Sequence, residues 1–138
     1  MAHLQLVSDL VPWEKYEIIN LDGEKCQTLR GFYEAIAEAM SFPEDFGFNI
    51  DSLDDMLSNL SWMEEEKIAV YTLNSEHFLS KERNESKKLT LLDRLSAICE
   101  DWRWMEPDEN EDDFEKKQLV FLFHESENIQ ELLKNVEG

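Results

Sequence analysis

The chain has 138 residues, 42% of them hydrophobic, and its 13 Lys and Arg against 32 Asp and Glu give a formal net charge of −19. The hydrophobic fraction is enough for the core of one domain, which excludes a fully disordered chain. The negative charge argues against direct binding to nucleic acid or an anionic membrane, whose phosphates would be repelled, and it favours a basic protein partner.

The N-terminal residues 1–15 are predicted to form an irregular extension. No apolar run in the chain approaches the roughly 20 residues that cross a bilayer. The first residues, MAHLQLVSDL, also lack the basic start and long apolar stretch of a signal peptide. We therefore expect a cytoplasmic protein that does not bind membranes.

The first regular elements follow the extension. Residues 16–21, YEIINL, are followed by Asp22-Gly23, which indicates a short buried strand that ends at a turn. Thr28 is a suitable N-cap for a helix that runs to about Met40. The apolar residues of that helix gather on one face, at Phe32, Ile36, Ala39 and Met40.

A loop over residues 41–48 leads to a second predicted helix, for which Asn49 is a plausible N-cap. Its apolar residues repeat at helical spacing and predict a buried stripe, made of Ile50, Leu53, Leu57 and Leu60. Three carboxylates, Asp51, Asp54 and Asp55, stay off this stripe. Asp51 and Asp54 lie in the first turns, where the helix dipole favours negative charge.

The second half of the chain alternates strands and helices. Strands are predicted at 67–73 and 118–123, a short helical turn at 76–79, and helices at about 86–104 and 126–137, with an acidic loop at 106–117. Strands separated by helices usually run parallel. We therefore predict an α/β fold in which helices pack a three-stranded parallel sheet, as a single domain over 1–138 with its core at about 17–124.

Enzyme and metal signatures are mostly absent from the sequence. The four glycines form neither a dinucleotide fingerprint nor a P-loop, and the three histidines are scattered. The acidic run that begins at Asp108 lacks the Gly and the final Glu of a calcium loop, because those positions hold Asp113 and Leu119. Cys26 and Cys99 are expected to be buried thiols, although one disulfide between them remains open.

The segment 42–57, FPEDFGFNIDSLDDML, resembles the signature of the barstar family of ribonuclease inhibitors. The residues that fit the signature, without a gap, are Pro43, Glu44, Phe46, Gly47, Asn49, Ile50, Asp51, Leu53 and Asp55. The predicted order of elements also matches the family fold over roughly 17–124. Asp45 and Asp54 are departures, because they stand where the best-known member carries aromatic contacts.

The resemblance implies a small cytoplasmic inhibitor that blocks the basic active site of a ribonuclease toxin with an acidic helix and the loop before it. Asp51 and Asp55 match the family's helix carboxylates, and Asp55 matches the one that takes the place of a phosphate. A further family acid corresponds to Glu100 or Asp101. The resemblance thus implies a partner-binding site made of Asp45, Phe46, Gly47, Asn49, Asp51, Asp54 and Asp55, with no cofactor, metal or catalytic residue.

We read the sequence as a barstar-like immunity protein or antitoxin that is not an enzyme and is a monomer before it binds a basic ribonuclease. The alternative is a general acidic interaction or regulatory domain without a nuclease partner. A third reading is a hydrolase that uses carboxylates such as Asp51, Asp54 and Asp55 with a metal ion.

Overall fold

The computed structural model describes residues 4–60, 62–104 and 117–134 of the chain. Its strands are β1 (Leu4–Val7), β2 (Glu17–Asp22), β3 (Lys67–Leu73) and β4 (Gln118–His124). Its α-helices are α1 (Leu29–Ala39), α2 (Ile50–Asn59), α3 (Glu85–Trp104) and α4 (Glu127–Lys134). Single 3-10 turns occur at Val11–Trp13, Gly23–Lys25 and Ser75–His77.

The four strands form one sheet in the order β1-β4-β3-β2, and every neighbouring pair is parallel. This confirms the predicted parallel α/β fold, but the prediction of three strands is wrong. The fourth strand, β1, lies in the supposedly irregular extension and pairs Leu4 with Phe121 of β4. Without β1, the most apolar strand of the protein would stand at the edge with unpaired backbone groups.

The two faces of the sheet are covered by different parts of the chain. One face, which includes Ile68, Val70 and Phe121, packs into the main core with residues of all four helices. The opposite face carries a smaller cluster built on Ala69, Val120 and Leu122. The residues packed against this cluster include Leu10, Trp13 and Tyr16, so the segment after β1 covers the face that the helices leave open.

The N-terminal segment is therefore expected to stabilise the fold. Deleting residues 1–15 removes β1 and the packing of Leu10 and Trp13, and should lower the free energy of unfolding by about 2 kcal/mol or more. Urea unfolding measures the change, with deletion of residues 1–3 as the control. An unchanged unfolding midpoint for the longer deletion would show that the sheet is complete without β1.

Both cysteines are free and buried, which settles the question of a disulfide that the sequence left open. Burial, followed by the nearby Asp22 carboxylate, raises the pKa of the Cys26 thiol to about 12. Burial likewise raises the pKa of Cys99. Thiols in this state stay protonated near neutral pH, so these two residues serve as small core side chains rather than as nucleophiles.

Candidate functional site

The loop between α1 and α2 is anchored by aromatic packing. The side chain of Phe46 is only 5% exposed and contacts the rings of Phe42 and Tyr33, with centroids 4.9 and 6.4 Å away. Phe42 packs on Trp62 in turn, and the Trp62 indole donates a hydrogen bond to the Met40 carbonyl. The ring of Phe46, one of the predicted partner-binding residues, lies in the core, where it fixes the loop.

The start of α2 is fixed by three hydrogen bonds between neighbouring residues. The Asn49 side-chain oxygen accepts from the Ser52 amide at 2.8 Å, which confirms the predicted N-cap. The Asn49 side-chain amide donates to the Gly47 carbonyl, and the Gly47 amide donates to the Ser52 hydroxyl. A Cβ atom at position 47 would lie 2.9 Å from the Asn49 side-chain nitrogen, so any other residue here would make the Asn49 side chain shift.

The rotation of α2 about its axis is as the sequence predicts, but Ile50, the first residue of the predicted buried stripe, is only half-buried. Leu53 and Leu57 are completely buried, and Leu60 just after the helix is buried with them. Asp51 and Asp55 are one helical turn apart on the exposed side, and the Asp51 side chain is 90% exposed. The helix is thus held by its apolar stripe while it presents two carboxylates to solvent.

Arg94 of α3 is a residue of this site that sequence reasoning missed. Its guanidinium donates a hydrogen bond of 2.9 Å to Asp54 and lies 3.6 Å from an Asp51 oxygen. Asp54 also accepts from the Ser58 hydroxyl. The Asp54 carboxylate is therefore held by contacts within the protein. The Asp51 carboxylate makes only the longer contact to Arg94.

The carboxylates of Asp45 and Asp55 are exposed, and neither has an ion pair or hydrogen bond within the described parts of the chain. Asp45 lies in the loop, whereas Asp55 lies on the rigid helix. On α3, Asp101 is exposed and Glu100 is partly buried. Asp55 thus places a negative charge on a well-packed helix, where it is available to an outside cation.

Metal-ligating clusters and membrane-spanning helices are both absent from the described residues. Residues 4–60, 62–104 and 117–134 contain no group of three or more His, Cys, Asp or Glu side chains arranged to hold a metal ion. The calcium-like run lies mostly outside the described residues, and its last position, Leu119, is buried in β4. Over the same ranges, no helix has the length and apolar character needed to cross a membrane.

The chain matches a family model described as Barstar (barnase inhibitor) over residues 16–123. No curated protein matched it in a sequence comparison. The family match covers well over half of the chain, which therefore belongs to the barstar family. Proteins of this family are inhibitors rather than enzymes. β1 and α4 lie outside the matched region.

Proposed function

We propose that this member of the barstar family inhibits a basic ribonuclease by covering its active site with the first turns of α2 and the loop before them. The observation that carries the proposal is the exposed Asp55 carboxylate, which has no ion pair or hydrogen bond within the described residues and stands on a helix whose other side is buried. The buried Leu53 and Leu57 hold the helix, and the Asn49 cap fixes where it begins.

The chemistry of the partner explains why such a carboxylate would bind tightly. A ribonuclease must hold the phosphate of RNA, so its cleft presents Arg, Lys or His side chains. A carboxylate on a rigid helix accepts charge-assisted hydrogen bonds from these groups, which are shorter and stronger than neutral ones. The net charge of −19 attracts a basic enzyme from a distance and raises the rate of encounter.

The other predicted site residues divide into contacting and positioning groups. Asp45 and Asp51 are exposed and would meet the enzyme directly. Asp54 acts through Arg94, because their ion pair ties α2 to α3. Phe46 and Gly47 keep the loop in the shape that the Asn49 cap requires.

In the cell, we propose a cytoplasmic immunity protein or antitoxin that is monomeric alone and forms a one-to-one complex with its ribonuclease. The competing function is an acidic interaction domain without a nuclease partner. The same exposed carboxylates would serve either role, but the family's inhibitory activity favours the first. The two functions differ in whether RNA cleavage stops.

The test is a titration of the chain into basic ribonucleases of the barnase type, beginning with barnase, with a fluorogenic RNA as substrate. We expect inhibition of at least one enzyme to be complete at a one-to-one ratio, with a dissociation constant below about 1 μM. RNA incubated with the chain alone is the control and should stay intact. If no ribonuclease in the panel is inhibited below micromolar concentration, the interaction-domain function replaces this one.

A further inference from the structure

A groove of about 400 Å³ runs beside the acidic face of α2. The groove is lined by residues from the start of α1, from the end of the loop between α1 and α2, and from the start of α3. The lining residues that matter for the argument are Arg30, Tyr33, Phe48, Ile50 and Lys87. Because Asn49 and Ile50 also line it and directly precede Asp51, the groove is continuous with the proposed ribonuclease contact.

Phe48 is an unusual residue at the rim of this groove. It is one of two large hydrophobic side chains that are exposed in the described residues; the other is Val11. Its backbone has a φ of 53°, in the left-handed region, where Asn or Gly costs less free energy than an aromatic residue. The ring packs on Phe46 at 4.8 Å, and yet 37% of the residue is exposed. An exposed aromatic ring in a strained conformation suggests a role beyond the fold.

The charge around the groove differs from that of the protein as a whole. The Arg30 guanidinium lies 4.7 Å above the Phe48 ring, and its Nε donates a hydrogen bond of 2.8 Å to Glu34. Lys87 is exposed on the opposite wall. Glu82 also lines the groove, so two cations are balanced there by two acids, Glu34 and Glu82, in a protein whose net charge is −19. Lys87 has no ion pair within the described residues, so a partner's carboxylate would be attracted to it, whereas most of the surface would repel that carboxylate.

The size of protein interfaces makes the ribonuclease itself the occupant. A stable interface typically buries about 800 Å² on each partner, which is far more than a few carboxylates provide. An enzyme seated on Asp51 and Asp55 must therefore cover the surface next to Asp51 as well, and the groove lies there. An aromatic surface such as that of Phe48 is typical of residues that dominate binding energy.

We propose that the groove beside Phe48 is a second contact for the same ribonuclease, which inserts an apolar side chain there next to a carboxylate that pairs with Lys87. This inference rests on the proposed inhibitory function and adds a determinant of specificity to it. The acids of α2 bind the active-site cations that any ribonuclease needs. The groove instead selects those ribonucleases that carry an apolar side chain next to a carboxylate at the matching position.

The first test replaces Phe48 with Asn, which tolerates the left-handed backbone and removes the ring. Val11→Asn is the matched control, since it makes a similar change at the other exposed hydrophobic residue. The probe is the ribonuclease that the parent chain inhibits most tightly. We expect Phe48→Asn to raise the dissociation constant about tenfold or more, chiefly through faster dissociation, and Val11→Asn to change it less than about twofold. Equal constants for parent and Phe48→Asn would overturn the groove contact.

A second test uses charge, with Lys87→Glu compared with Lys15→Glu. Both changes make the protein more acidic, so long-range attraction alone predicts faster association with a basic enzyme for both. The groove contact predicts that Lys87→Glu instead weakens binding about fivefold or more, because the introduced carboxylate would repel the partner's carboxylate. A negative charge in the first turn of α3 is compatible with the helix dipole, so this variant should fold. Tighter binding by Lys87→Glu would overturn the proposal even if Phe48→Asn fails to fold.

The two tests separate the groove from the function on which it rests. Suppose that the parent chain inhibits a ribonuclease, and that Phe48→Asn and Lys87→Glu bind this enzyme as tightly as the parent chain does. The groove contact is then wrong, and the inhibitory function stands. If the parent chain inhibits none, the inhibitory function fails, and the groove contact fails with it.

Discussion

Replacing Leu57 with Ala is expected to lower the free energy of unfolding by about 2–5 kcal/mol. The Leu57 side chain is fully buried in the main core, in the α2 helix that packs against α3. The Leu57 carbonyl also accepts a 2.7 Å hydrogen bond from the Trp102 indole of α3, which restrains the backbone from moving into the cavity. The loss should therefore lie within the range typical of cavities that do not collapse.

Urea unfolding of Leu57→Ala measures this change, and Asp55→Ala on the same helix is the matched control. Asp55 is exposed, so its replacement should alter the stability by no more than about 0.5 kcal/mol. A loss below about 1 kcal/mol for Leu57→Ala would mean that the helix buries a different face. The pair of variants thus tests the rotation of α2 about its axis without any partner protein.

The features of α2 could be predicted because their signals are local. An Asn before an apolar repeat at helical spacing is enough to place the cap and the buried side, and both agree with the structure. The parallel sheet could likewise be inferred from strands separated by helices. The residues of segment 42–57 also identified the family, which the match over 16–123 confirms.

The features that the sequence missed depend on contacts between distant residues. β1 is only four residues long, and its place is set by pairing with β4, more than a hundred residues later. Arg94 is 40 residues from Asp54, and nothing in the local pattern of α3 marks it as a partner. Sequence spacing placed Asp51, Asp54 and Asp55 together off the apolar stripe, but it did not show that Arg94 contacts Asp51 and Asp54 and not Asp55.

Replacing Asp55 with Ala is expected to have the largest effect on inhibition. In the proposed complex this carboxylate lies among the active-site cations of the ribonuclease, and its loss would leave those cations buried without a counter-charge. We expect a loss of binding free energy of about 2–5 kcal/mol or more, mostly as faster dissociation. The barnase–barstar pair is itself a reference system for such values.

The surroundings of Asp55 explain why one acid among 32 should dominate. The Asp54 carboxylate already accepts hydrogen bonds from Arg94 and Ser58, and Asp51 lies close to the same guanidinium. Removing Asp54 or Asp51 would therefore also disturb contacts within the inhibitor. Within the described residues Asp55 has no such partner, so its replacement should change binding and leave folding intact. A loss of affinity in this variant therefore reports on the interface alone.

The control for Asp55→Ala is a variant with several acids of 106–115 neutralised, a segment outside the described residues. If those acids only add to the long-range field, the variant should associate modestly more slowly, with a weaker dependence on salt and an unchanged dissociation rate. Stopped-flow measurements at two salt concentrations separate the two effects. If Asp55→Ala binds the ribonuclease like the parent chain while the 106–115 variant does not bind it, the enzyme contacts a different surface. The role assigned to Asp55 is then wrong.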